Sequence, residues 1–169
     1  MYGMIHKAAR AYAIQHLGEP FWLSFSEQRG LAESAFVLGQ SYSDEMTFAM
    51  IGGLAEAAAT PPAEFLRGFG RYWIEFARNG AFAHLILMGG DTLPTFIGNL
   101  NRMPGFHILE DTPQALRISY VSQRDGLEPF VLGLLEGLCT MFDVQADVVH
   151  TPDEGAVVFE VRYRLSAAA

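Results

Sequence analysis

Leu116, Ile118 and Tyr120 alternate with Arg117, Ser119 and Val121, and this two-residue period runs directly into an amphipathic stretch from Gly126 to Phe142. The alternation predicts a strand with one buried face. The stretch after it places Leu127, Phe130, Val131, Leu134, Leu135, Leu138, Met141 and Phe142 at helical spacing, which predicts a long helix with one buried side. Carried on past Tyr120, the strand period sets Tyr120, Ser122 and Arg124 on one face, with successive side chains ~7 Å apart. Two hydroxyls and a guanidinium in a row at the mouth of an apolar interior suit one or two carboxylates held at the edge of a hydrophobic pocket. An ordinary edge strand with a solvated arginine has the same pattern.

The residues before this stretch read as helices. Ile5, Ala8, Ala9, Tyr12, Ala13 and His16 recur at helical spacing, and Gly18 is placed to end that helix. Pro20 opens a short second helix carrying Phe21, Trp22 and Phe25, stopped near Gly30. Residues 31–42 form a connection with little period. Ser43 or Asp44 caps a third helix to about Ala58, and Thr60-Pro61 launches the longest one, with the stripe Phe65, Leu66, Phe69, Tyr72, Trp73 and Phe76 ending at Asn79-Gly80. A segment from Phe82 to Met88 is broken by Gly89-Gly90, and Asp91 or Thr92 caps one more helix to about Arg102.

After Met103-Pro104-Gly105 the period changes to that of strands. Phe106–Glu110 is the first, and Asp111 to Gln114 turn into the Tyr120 strand. Val144–Val149 and Val157–Leu165 make a hairpin around Thr151 to Gly155, while Ser166 to Ala169 read as a frayed end. The expected fold is α+β: a helical N-terminal half packed on a C-terminal antiparallel sheet of about four strands, crossed by one long helix. It is read as a single domain over 1–169, with a helical lobe of about 1–102 and a sheet lobe of about 103–165.

Composition limits what such a domain does. Its 169 residues suffice for a real core, and thirteen Phe imply a packed globule. A net charge of -8 argues against a nucleic-acid partner, which needs a basic footprint, and against an anionic membrane surface. No apolar run approaches the ~20 residues of a membrane span, and the start of the chain lacks a signal-peptide layout. The lone Cys139 lies in an apolar helical face, which fits a small core residue and a cytoplasmic location. We find no phosphate-binding glycine loop, no Gly-x-Ser-x-Gly elbow, no His-Glu-x-x-His and no paired-cysteine metal site. The five histidines, at 6, 16, 84, 107 and 150, are not at ligand spacing from one another. A non-enzymatic pocket lined by Phe69, Tyr72, Trp73, Leu85, Phe96 and Leu134 is the expectation, and a core filled by the same residues has the same sequence.

Tyr120-x-Ser122-x-Arg124 followed by Gly126-Leu127, Val131 and Gly133 resembles the haem-propionate motif of the H-NOX family, the haem nitric-oxide/oxygen-binding (HNOB) domains related to the sensor domain of soluble guanylate cyclase. Met1 to Ile5, Gly18-Glu19-Pro20-Phe21-Trp22, Tyr42-Ser43-Asp44, Phe65 to Trp73 and Leu93 to Leu100 resemble the family's other landmarks, in the family's order and across nearly the whole chain. The resemblance implies haem b in the pocket, with Tyr120, Ser122 and Arg124 clamping its propionates and Ile5, Trp73, Leu85, Pro104 and Leu134 lining it. One departure stands out. The family's proximal histidine follows in the pattern Asn-Leu-Asp-x-x-His, whereas this chain reads Asn99-Leu100-Asn101-Arg102-Met103-Pro104, and Pro104 has no lone pair for iron. The spacing from Asn99-Leu100 to Tyr120 is also shorter than usual for the family. No iron ligand is therefore expected at the usual position. His84, His107 and His6 are the substitutes weighed, His6 because its neighbour Ile5 faces the distal pocket in the family.

Three functions follow from the resemblance. The first is a stand-alone haem sensor of nitric oxide or another diatomic, signalling to a partner such as a histidine kinase or a cyclic-dinucleotide enzyme. The second is a haem-free domain that holds another apolar carboxylate, a fatty acid or a different tetrapyrrole, on the same Tyr-Ser-Arg row. The third is a degenerate docking module whose pocket is packed solid.

Overall fold

Gly18, at φ 89°, ends one helix and caps the next, so the chain turns between them with no intervening loop. The computed structural model describes residues 1–31, 36–80, 83–100, 105–153 and 155–164, with the backbone alone at Leu85, Leu87, Leu100 and Pro152. Its helices are α1 (Gly3–Leu17), α2 (Glu19–Gln28), α3 (Asp44–Ala57), α4 (Pro62–Asn79), α5 (Ala83–Met88), α6 (Leu93–Leu100) and α7 (Glu128–Met141). Its strands are β1 (Phe106–Asp111), β2 (Ala115–Tyr120), β3 (Ala146–Asp153) and β4 (Ala156–Tyr163), in one antiparallel sheet of order β1-β2-β4-β3. Six helices followed by a sheet carrying the seventh is the expected α+β architecture.

Contacts divide the chain into two compact units inside α4, Met1–Phe69 and Gly70–Ala169, so α5 and α6 group with the sheet. In the first unit, Ser43 caps α3 by accepting from the Met46 amide at 3.2 Å. The core there is Ala8, Ala9, Ala13, Trp22, Phe25, Met50, Leu54, Phe65 and Phe69. The connection 36–42 closes on the start of α1, where the Gly3 amide donates to the Gln40 carbonyl at 2.8 Å and Met4 to Leu38 at 3.3 Å. Orphan amides of the first turn are thereby satisfied by backbone. A Cβ at Gly3 would collide with the Val37 carbonyl, so this closure requires glycine.

The second unit is built as its alternation predicts. Leu116 and Ile118 of β2 face Val161 and Phe159 of β4 across the ladder, and all four are buried with Val131, Leu135 and Leu138 of α7. The C-terminal half of α4 crosses α7 closely: a Cβ at Gly70 would run into the Phe130 carbonyl, and one at Gly137 would lie 2.9 Å from the Ile74 side chain. The β3–β4 hairpin is tighter than the sequence suggests, since pairing continues through Pro152↔Val157 to Asp153↔Ala156. At the sheet margins, the β1 register shifts between Ile108 and Glu110, and β3 contains Pro152. Leu165 and residues 166–169, the expected strand end and frayed end, lie outside the described residues.

Candidate functional site

β2 delivers Tyr120 to the inner face of the sheet, opposite Val157 on one side and Phe106 on the other. Its ring is 4.8 Å from Phe106 and 6.4 Å from Phe159, and the residue is half-buried. One further ladder bond follows, from the Val121 amide to the Gly105 carbonyl at 2.8 Å. Gly105 sits at φ 93° with the Val121 carbonyl where a Cβ would be, so the backbone approach needs glycine there.

The strand then stops, which corrects the expectation that it runs to Arg124. Ser122 Oγ accepts from the Arg124 amide at 3.0 Å, a local turn that replaces the ladder, and Gly126 at φ 79° completes the reversal into α7. Tyr120 and Ser122 remain half-buried while Arg124 is exposed, so the three residues form a strand end and a turn instead of one straight row. They nonetheless follow in order along one short segment of the second unit, the rim where β2 leads into α7. Trp73 and Leu134 pack half-buried on the same core as Tyr120, with Trp73 5.9 Å from Phe76.

The other expected lining residues divide differently. Ile5 is half-buried on α1 in the first unit. Phe69 is core to that unit and lies 5.7 Å from Tyr12, whereas Phe96 is core to the second, 5.7 Å from Phe142. Tyr72 is half-buried, and burial raises its pKa, helped by Glu75. Leu85 belongs to α5, but its side chain lies outside the described residues, as does Pro104 entirely.

For iron, the histidines decide the fit. His84 on α5 and His107 on β1 are exposed, and His107 alternates with Phe106 and Ile108, which face the core. His16 and His150 are exposed too. His6 is the buried one, at 0 % exposure, and it is engaged: Nε2 lies 3.0 Å from Thr47 Oγ1 and the ring stacks on Phe36 at 4.8 Å. Burial lowers its pKa, with the N-terminal amine as the second cause, so it is held neutral. Its Nδ1 is buried without a hydrogen-bond partner. Among the described residues no group of three metal-ligating side chains exists. α6 ends at Leu100 and β1 begins at Phe106, so only Asn101 to Gly105, none of them histidine, join the two. The rim thus offers the residue types that suit a propionate, and no described histidine is both buried and free for iron.

A family model described as Haem-NO-binding (HNOB) matches residues 2–150. The chain belongs to this family. Its members are haem-binding gas-sensor domains and are not themselves catalysts. The fold agrees with solved H-NOX structures. The S. oneidensis protein in the Fe(II)NO ligation state is 16% identical, with a TM-score of 0.82 over 97% of this chain and 99% of that one. Unliganded Fe(II) H-NOX from K. algicida is 14% identical, with a TM-score of 0.82 over 100% of both chains. A histidine-to-glycine mutant of the Shewanella oneidensis domain, in the Fe(II)CO ligation state, is 14% identical with a TM-score of 0.84, covering 98% of this chain and all of that one. Among curated proteins, the Caenorhabditis elegans soluble guanylate cyclase gcy-33 is 23% identical over 95% of this chain and 19% of its own length. A second Caenorhabditis elegans soluble guanylate cyclase, gcy-35, is 23% identical over 80% of this chain and 22% of its own length. The chain therefore spans about a fifth of the length of these relatives. None of the helices in the described residues is long and apolar enough to cross a membrane.

The alternation of β2 and the stripe of α7 were both legible in the sequence. Thr47 and Phe36, which hold His6, were missed because their contact spans the fold, and only the Tyr42-Ser43-Asp44 landmark marked that region.

Proposed function

We propose that this domain binds a carboxylate-bearing tetrapyrrole, haem b in the first instance, by its propionates and apolar faces and without a histidine bond to iron from the family's usual position. In this reading Tyr120, Ser122 and Arg124 hold the propionates, and Trp73 and Leu134 of the same unit supply apolar contact. Haem, when bound, supplies the centre that takes nitric oxide or another diatomic. The chain's own residues bind the ligand, shield it from water and change its docking to a partner, such as a histidine kinase or a cyclic-dinucleotide enzyme.

The observation that carries the reading is the five-residue join between α6 and β1, free of histidine, in a chain that matches the haem-binding family through β2 and α7. The histidine-to-glycine neighbour supports it, since that protein reaches an Fe(II)CO state with one histidine fewer. An absorption spectrum before and after adding haem tests it. A Soret band that titrates to one haem per chain is expected, and a spectrum equal to free haem would sink the haem reading.

A second reading is favoured by the exposed His84 and His107 and the engaged His6: the domain carries no haem and holds a fatty acid or another tetrapyrrole by the same rim. Mass spectrometry of the denatured protein, as purified, should then release a monocarboxylic or tetrapyrrolic acid. An empty pocket with no thermal shift from haem or lipid would leave neither reading standing.

A further inference from the structure

Arg29 follows α2 with its guanidinium Cζ 4.1 Å from the centroid of the Phe25 ring. The same group lies over Gly53 of α3: a Cβ there would sit 2.8 Å from one terminal nitrogen and 3.1 Å from both Cζ and Nε. Any other residue at 53 would push the guanidinium away. The Arg29 guanidinium makes no hydrogen bond or ion pair among the described residues, so its donors are unspent although its plane is already fixed by ring and backbone. Most surface arginines lose side-chain entropy on binding; this one has lost much of it in folding.

The fork lines a cleft of about 310 Å³ between α2 and α3, with Phe21, Ser24, Phe25, Gln28, Glu56 and Ala57 around it. Phe21 and Phe25, 5.6 Å apart, supply an aromatic wall. Gln28 Nε2 donates to Ser24 Oγ at 3.1 Å, which leaves the serine proton for an acceptor in the cleft. Glu56 on the rim opposes a second negative charge.

We propose that this cleft is a binding site for a monocarboxylate with an aromatic or apolar body, gripped by the Arg29 fork and backed by Phe21 and Phe25. It lies wholly within the first unit and is independent of the tetrapyrrole reading. Planar carboxylates match the guanidinium two oxygens to two N–H groups, and the volume falls in the range of small-ligand clefts.

The test is an NMR titration of the full chain, following the ¹⁵N backbone amide signals of Gly53 and Ala57, which line the cleft, with benzoate, phthalate and inorganic phosphate. Benzoate should give a saturable shift, with phthalate and phosphate several-fold weaker. Arg29→Lys should abolish the benzoate effect by removing the fork while keeping the charge. Glu56→Gln should raise phthalate to the level of benzoate. Circular dichroism checks that both exposed substitutions leave the fold unchanged. No saturable benzoate shift, an equal response to all three anions, or a Glu56→Gln protein with unaltered selectivity would each overturn the proposal.

Discussion

Arg124 and His6 represent two ways of holding a charge-bearing group. Arg124 is exposed on a turn, so its replacement should matter to a ligand more than to the fold. For Arg124→Ala we expect retention of a bound acid to fall by roughly 10-fold or more, with a stability change under about 1 kcal/mol. Haem or lipid titration beside urea unfolding measures both, and unchanged retention rejects the propionate role. His6 is the opposite case, fully buried and kept neutral by desolvation. Its folded pKa lies below the unfolded value of about 6.5, so the unfolded chain binds the proton first and stability falls as pH drops below that value. One such group gives a slope of up to about 1.4 kcal/mol per pH unit between its two pKa values. Asp147 and Glu160, whose pKa values are lowered by Arg164 and Arg162, lose their contribution only further down, as pH falls through the carboxylate range. Urea midpoints from pH 7 to 5 should therefore decline in the wild type and flatten in His6→Phe. An NMR titration placing the His6 pKa at or above 6.5 would contradict this, whether or not the variant folds.

At the scale of elements, the crossing of α4 and α7 is the sharpest constraint. Gly70 meets backbone of α7, which cannot rotate aside as a side chain would. Gly70→Ala should destabilise by about 1–3 kcal/mol, the range for overpacking, and Gly52→Ala, where the added methyl meets open space, should not. Denaturant midpoints compare the two directly. Much of this level was readable in advance. Leu116, Ile118 and Tyr120 gave β2, Gly18 the first helix end, and the Ser43-Asp44 pair the α3 cap, which is Ser43, because each depends on its immediate neighbours. The end of β2 was not readable. Alternation says which face a residue takes if pairing persists, and nothing about the Ser122 hydroxyl outcompeting the ladder for the Arg124 amide. For the same reason the rim was legible as a set of residue types and illegible as a geometry. The Arg29 cleft was invisible altogether, since it needs Phe25 and Gly53 brought together by the packing of α2 and α3.

For the molecule as a whole, the margins of the sheet set how it meets others of its kind. β1 and β3 are the outermost strands. On β1 the spacing of backbone donors and acceptors is broken at Leu109, and on β3 Pro152 has no amide hydrogen to offer. An incoming extended peptide would find a mismatched edge on either side, which is how natural sheets avoid growing into one another. Whatever docks on this domain must read the side chains it displays, and copies crowded together in a cell are poorly equipped to zip into a fibre.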